Sequence, residues 1–105
     1  MPVDMTAAAK SAALSARFKA LADPNRLRIL EMLKAPSCCA LESMKGGLCA
    51  CDIEGKLDLS QPTISHHMKV LREAGLVEAT KVGQWMWYRR NEEALRELSG
   101  FLTGR

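Results

Sequence analysis

The sequence predicts a mainly α domain carrying a small β-hairpin, with elements in the order α-α-α-α-β-β-α. Three observations predict it. Apolar residues recur at helical spacing along most of the chain. The helical runs are bounded by start and stop residues: Asp23-Pro24, Ser60 with Pro62, Gly75 and Asn91. One region, 76–90, is rich in Val, Trp and Tyr and is divided by Gly83-Gln84.

A first helix starts after Thr6 and runs to about Ala22, with Leu14, Phe18 and Leu21 on one face. Asp23 precedes a proline, which pushes it out of the helical region, so the helix stops there. Asp23 then caps a second helix that has Pro24 in its first turn and runs to about Lys34, with Leu27, Leu30 and Leu33 spaced along it. Residues 35–48 contain Pro36, Ser37, Gly46 and Gly47 and read as a loop, long for a helix–helix connection. A short third helix spans about Cys49 to Leu57. Ser60 caps a fourth, which tolerates Pro62 in its first turn and stops at Gly75. Strands follow at 76–82 and 85–90. Gly83 at the first central position of their connection suits a type II′ turn. A last helix starts near Asn91, with Leu95, Leu98, Phe101 and Leu102 on one face.

At 105 residues the chain has the length of a single domain, 1–105. It is 48% hydrophobic and 26% charged, which supports a buried core and excludes a disordered tail. No run approaches the length of a membrane span, and the Ala-rich N-terminus is interrupted by Lys10 and Arg17 instead of forming a secretion signal. These features predict a cytoplasmic protein without a membrane partner. A net charge of +3 permits an anionic partner without requiring one.

All the cysteines, Cys38, Cys39, Cys49 and Cys51, fall in one short stretch. A disulfide framework would spread them to staple distant segments. A tight cluster in a reducing compartment instead points to metal binding or thiol chemistry. Buried cysteines acting as small hydrophobes would account for scattered single residues, but not for a vicinal pair followed by Cys-x-Cys. Without a CxxC in a βαβ setting, the cluster does not suit a thiol oxidoreductase, and the chain is not read as an enzyme.

Two helices joined by a short turn and followed by a hairpin describe a winged helix-turn-helix. On the fourth helix Ile64, His67, Met68 and Leu71 share an apolar face. The other side carries Gln61, Thr63, Ser65, His66 and Lys69, side chains that can bond base edges or phosphates from the major groove. A solvated helix face would look the same by itself. The hairpin tips the balance, because Lys81, Gln84, Arg89 and Arg90 make it a basic wing. Trp85 and Trp87 lie on one side of their strand, with Met86 and Tyr88 on the other, and these aromatics are expected to anchor the wing to the core. His66 points outward, and His67 is expected to be buried with a hydrogen-bond partner.

With these residues in view, LCACDI at 48–53, SQPTISHHMKVLREAGLV at 60–77 and GQWMWYR at 83–89 resemble the ArsR/SmtB family of metal-sensing repressors, over about Phe18 to Leu102. The resemblance implies a homodimer in which the first and last helices form the interface, placing Leu14, Phe18, Leu95, Leu98 and Phe101 in it or in core beneath it. It also implies a transcriptional repressor that holds double-stranded operator DNA, an inverted repeat, when free of inducer and releases it on binding the inducer. In the arsenic-sensing branch the cysteines form Cys-x-Cys-x-x-Cys. Here Cys49 and Cys51 match, but the third position is Glu54, a hard oxygen donor ill suited to a soft trivalent ion. Cys38 or Cys39 is the replacement. Three thiolates suit As(III) or Sb(III), the first expectation for the inducer. Four suit tetrahedral Cd(II) or Pb(II), the second. The last helix has no histidine, so the family's zinc-type site there is absent. A redox-switched repressor, a metal buffer without a DNA role and a structural zinc site are the competing readings.

Within a regular third helix, Cys49 and Cys51 would point about 200° apart. Capture of one ion by both is therefore expected to distort the start of that helix and, through it, the recognition helix.

Overall fold

The computed structural model describes residues 5–34 and 47–104, with the side chains of 5–8, 47–51 and 85 left out. Its elements are α1 (Met5–Leu21), α2 (Pro24–Met32), β1 (Gly47–Cys49), α3 (Ala50–Lys56), α4 (Gln61–Glu73), β2 (Val77–Val82), β3 (Trp85–Arg90) and α5 (Glu92–Thr103). The predicted order stands with one strand added. The long loop predicted at 35–48, with Cys38 and Cys39 in it, falls outside the described residues except at its last two positions, which belong to β1.

The helix boundaries follow local chemistry. Asp23 has extended backbone, and its Oδ1 accepts from the N–H groups of Asn25 at 2.9 Å and Arg26 at 3.2 Å, while Pro24 needs no partner at the first helical position. Ser60 caps α4 by accepting from Thr63 N–H at 3.4 Å. That helix closes at Gly75, whose φ of 77° lets Leu76 N–H reach back to the Leu71 carbonyl at 3.0 Å. Asn91 serves two elements at once. Its Oδ1 caps α5 through Ala94 N–H at 3.2 Å, and its Nδ2 donates to the Gly75 carbonyl at 3.0 Å. At the hairpin, Gly83 has φ of 61° and no non-glycine residue has positive φ among the described residues, as a type II′ turn requires.

The sheet is three-stranded and antiparallel in the order β1-β3-β2. Strand β1 corrects the expectation that Cys49 opens the third helix. Cys49 is the last residue of β1, paired with Trp87, and α3 begins at Ala50. The three residues of β1 carry no periodic signal of their own. What orders them is the second edge of β3, whose backbone groups need partners.

One continuous core unites Ala20, Ile29, Leu30, Leu33, Ile53, Leu57, Ile64, Met68, Leu71, Leu76, Val77, Ala94 and Leu98. The expected stripe on α2 holds at Leu30 and Leu33 but not at Leu27, which is 49% exposed; Ile29, adjacent to Leu30, is fully buried. Leu71 has no exposed surface at the centre of this cluster. Leu71→Ala is expected to cost about 2–5 kcal/mol by urea denaturation, through lost burial and an incompletely closed cavity.

Candidate nucleic-acid interface and cysteine junction

The buried face of α4 comprises Ile64, His67, Met68 and Leu71, as expected from its sequence. That face fixes the helix on the core and turns Gln61, Thr63, Ser65, His66 and Lys69 outward, all exposed. Between Gln61 and Arg72 the helix has no acidic side chain, so its exposed surface carries only neutral donors and positive charge. Thr63 is partly committed, since its hydroxyl lies 2.8 Å from the Ser60 hydroxyl.

A polar contact inside the fold adds a directional restraint to the rotation that the apolar face of α4 selects. Arg26 of α2 sends Nε to the Ala20 carbonyl at 2.6 Å and Nη2 to the Lys19 carbonyl at 3.3 Å, closing the end of α1. Its Nη1 lies 3.2 Å from Nδ1 of His67. A guanidinium has no acceptor, so Nδ1 accepts and the imidazole proton sits on Nε2. His67 is thus a buried histidine with a partner, as expected. Asp23 completes the cluster. Desolvation raises its carboxyl pKa, but the N–H groups of Arg26 and Asn25, with the Arg26 charge, outweigh this and hold it below the ordinary value of 3.8.

The wing's cations differ in availability. Arg90 turns inward, donating from Nη1 to the Leu30 carbonyl at 3.3 Å and pairing through Nε with Glu92 at 3.0 Å. Arg89 is exposed and pairs across the strands with Glu78 at 3.1 Å. An exposed pair of this kind is worth about 1 kcal/mol or less, so Arg89 can exchange Glu78 for a phosphate at small cost. Lys81 and Gln84 are exposed near the hairpin tip, and no ion pair engages Lys81 among the described residues. Tyr88 packs against the core as expected of an anchoring aromatic. Trp87 does not join that core although it is buried, because strand alternation places it on the opposite face.

Cys49 and Cys51 flank the β1–α3 junction, one ending the strand and the other second in the helix. The helical-spacing argument therefore does not apply to this pair, and capture of one ion by both does not by itself require α3 to unwind. Glu54 is exposed. The junction touches both candidate DNA-contacting elements, since β1 is hydrogen-bonded to wing strand β3 and α3 packs against α4.

Helices α1 and α5 meet through Phe18 and Phe101, with ring centroids 5.9 Å apart, and through Arg17, which pairs with Glu97 at 2.7 Å and donates to the Ala74 carbonyl. Leu14, Phe18 and Leu95 are half-buried against the core, and Phe101 is 60% exposed. Leu98 is only 4% exposed in the single chain, which makes it core rather than contact surface.

Together the fold, the outward polar helix and the wing define a winged helix-turn-helix DNA-binding domain. Residues 23–79 match the bacterial regulatory protein family arsR, and the chain belongs to that family of DNA-binding transcriptional regulators, not to an enzyme class. It is 40% identical over 81 residues to an uncharacterized HTH-type transcriptional regulator of Methanocaldococcus jannaschii, covering 77% of this chain and 81% of the relative. It is 42% identical over 85 residues to an arsenical resistance operon repressor of Staphylococcus aureus, covering 81% and 72%. A cadmium resistance transcriptional regulatory protein CadC homolog of Staphylococcus aureus is 32% identical over 81 residues, covering 77% and 60%. Among solved structures, the homodimeric winged helix-turn-helix domain of a possible ArsR-family regulator from Mycobacterium bovis superposes with a TM-score of 0.73 at 26% identity, covering 97% of this chain and 85% of that one. Among the described residues, no helix is long and apolar enough to cross a membrane.

Sequence reasoning overlooked Arg26, Glu78 and the burial of Trp87 outside the core. Only the Pro-Asn-Arg run following a capping Asp hinted at Arg26. Because the Asp23 pKa is depressed in the folded protein, its contribution to stability is present above the unfolded value and is lost as pH falls through the folded one. Asp23→Ala is expected to be less stable than the parent protein at neutral pH, with the difference narrowing below pH 3.8. Urea denaturation at a series of pH values checks this, and a constant difference across the series would overturn the attribution.

Proposed function

We propose that this chain is a homodimeric, cytoplasmic transcriptional repressor that holds an inverted-repeat operator through α4 and the wing and releases it on binding As(III) or Sb(III). The contacts would come from Gln61, Thr63, Ser65, His66 and Lys69 in the major groove and from Lys81, Gln84 and Arg89 of the wing. Leu14, Phe18, Leu95 and Phe101 would face the second subunit, with Leu98 as core beneath them. The ligands would be Cys49, Cys51 and one of Cys38 or Cys39. The supporting observation is the position of Cys49 and Cys51 at a junction shared by the wing sheet and the first helix of the helix-turn-helix.

The donor set suits a soft trivalent ion, which three thiolates can neutralise. Cys51 lies in the first turn of α3, a position that favours the thiolate. Drawing the junction toward a third thiolate would shift β1 against β3 and α3 against α4, altering the spacing between wing and recognition helix. The ion need only favour the DNA-incompetent arrangement; a ~100-fold preference corresponds to ~2.7 kcal/mol of coupling. A second reading, supported by the cadmium-resistance relative and the presence of a fourth cysteine, is release by Cd(II) or Pb(II) through four thiolates.

Fluorescence anisotropy of the reduced protein on its own promoter DNA, titrated with arsenite, antimonite, cadmium, lead and peroxide, tests these readings. Release by arsenite and antimonite supports the first and release by the divalent ions alone supports the second. Release by peroxide alone moves the cysteines to a redox switch. Cys49→Ser and Cys51→Ser are expected to bind DNA like the parent protein and to ignore the inducer; a normal response from either would overturn the ligand assignment. Lys69→Ala is expected to weaken operator binding similarly for all sequences and to reduce the slope of log K against log salt by about 1.

A further inference from the structure

Among the described residues every buried hydrophobic side chain belongs to the continuous core except Trp87, which is 7% exposed. The register explains its isolation. Val77 with Arg90 and Ala79 with Tyr88 lie on the face of the sheet turned to the core. Trp87 lies on the other face, directly across from Thr80 of β2 and from Cys49 of β1. Its Nε1 is buried and has no hydrogen-bond partner among the described residues. An indole N–H is a donor only, and buried donors without acceptors are rare in native proteins unless a ligand or special role accounts for them.

Residues directly opposite in an antiparallel pair have Cβ atoms about 4.5–5.5 Å apart, well within the length of an indole. From the orphan N–H of Trp87 and the register that sets Trp87 opposite Cys49 we infer that Trp87 is part of the inducer site: its indole N–H donates to a thiolate sulfur of the ion-bound site, and its ring forms an apolar wall beside it. The inference rests on the assignment of Cys49 as a ligand. The physical logic is that of an outer-shell partner, since a donor to a ligating sulfur orients it and spreads its charge while an apolar wall keeps water away. Trp87 also belongs to the wing strand, so the site would include a residue of the element that must move.

Trp87→Phe keeps an aromatic ring and removes the donor, and Trp85→Phe leaves Trp87 as the sole tryptophan. In Trp85→Phe, arsenite (or cadmium, if that ion releases the DNA) is expected to change Trp87 emission with the same midpoint as operator release. Adding Cys49→Ser abolishes the change. Trp87→Phe is expected to bind operator normally without the ion and to need about tenfold more of it for release. Unchanged Trp87 emission while DNA is released overturns the inference, as does release of Trp87→Phe at the parent concentration. If Cys49→Ser is unresponsive while Trp87 emission is silent, the ligand assignment stands and only the role of Trp87 falls. If Cys49→Ser responds normally, the ligand assignment itself is at fault.

Discussion

The guanidinium of Arg26 is the joint on which the arrangement of the helices depends. It closes the carbonyl end of α1, stands in the first turn of the α2 that Asp23 caps, and reaches His67 on the buried face of α4. Without it two carbonyls of α1 would lose their charged donor, and His67 would be a buried polar group without its partner. Apolar burial along Ile64, Met68 and Leu71 tells α4 which face to hide, but such contacts are not directional and tolerate rotation. The hydrogen bond to His67 is directional. It therefore holds at one angle the face that apolar periodicity already selects, with His67 inward and His66 outward.

Around that frame, charge is divided between structure and surface. Arg17, Arg26 and Arg90 are spent on carbonyls and carboxylates within the fold. Lys69 and Lys81 are left at the surface and Arg89 is held loosely by Glu78. The net charge of +3 therefore understates how uneven the surface is, because much of the arginine content is internal fastening. The same economy holds at Asn91, where a single side chain caps α5 and ties the end of α4, fixing the path from the recognition helix through the wing to the last helix.

The β1–α3 junction gives the cysteine pair a mechanical position that a purely helical segment would lack. A segment in α3 alone would act on the recognition helix through packing. A segment that is also the edge strand of the wing sheet acts through hydrogen bonds on β3 as well. In the proposed mode of release, α4 and the wing would hold one DNA at a fixed spacing, and a small shift at the junction common to both would change it. The sequence motif around Cys49 and Cys51 is legible without a structure, but its strand-to-helix setting is not.

The sequence alone determined what depends on near neighbours. The limits of the helices to within about two residues, the caps at Asp23, Ser60 and Asn91, the Gly83 turn and the buried face of α4 all follow from residues within a turn or two of each other. Exposure of Gln61, Thr63, Ser65, His66 and Lys69 follows from the same periodicity. Tertiary structure decided whatever requires a distant partner. Arg26 meets His67 across 41 positions and Arg90 meets Leu30 across 60, and neither pairing has a local signature. Strand β1 exists because β3 offers an open edge, which moved Cys49 out of the helix expected for it. The isolation of Trp87 and the exposure of Leu27 have the same origin: periodicity says which residues share a face, but only packing says which faces are covered.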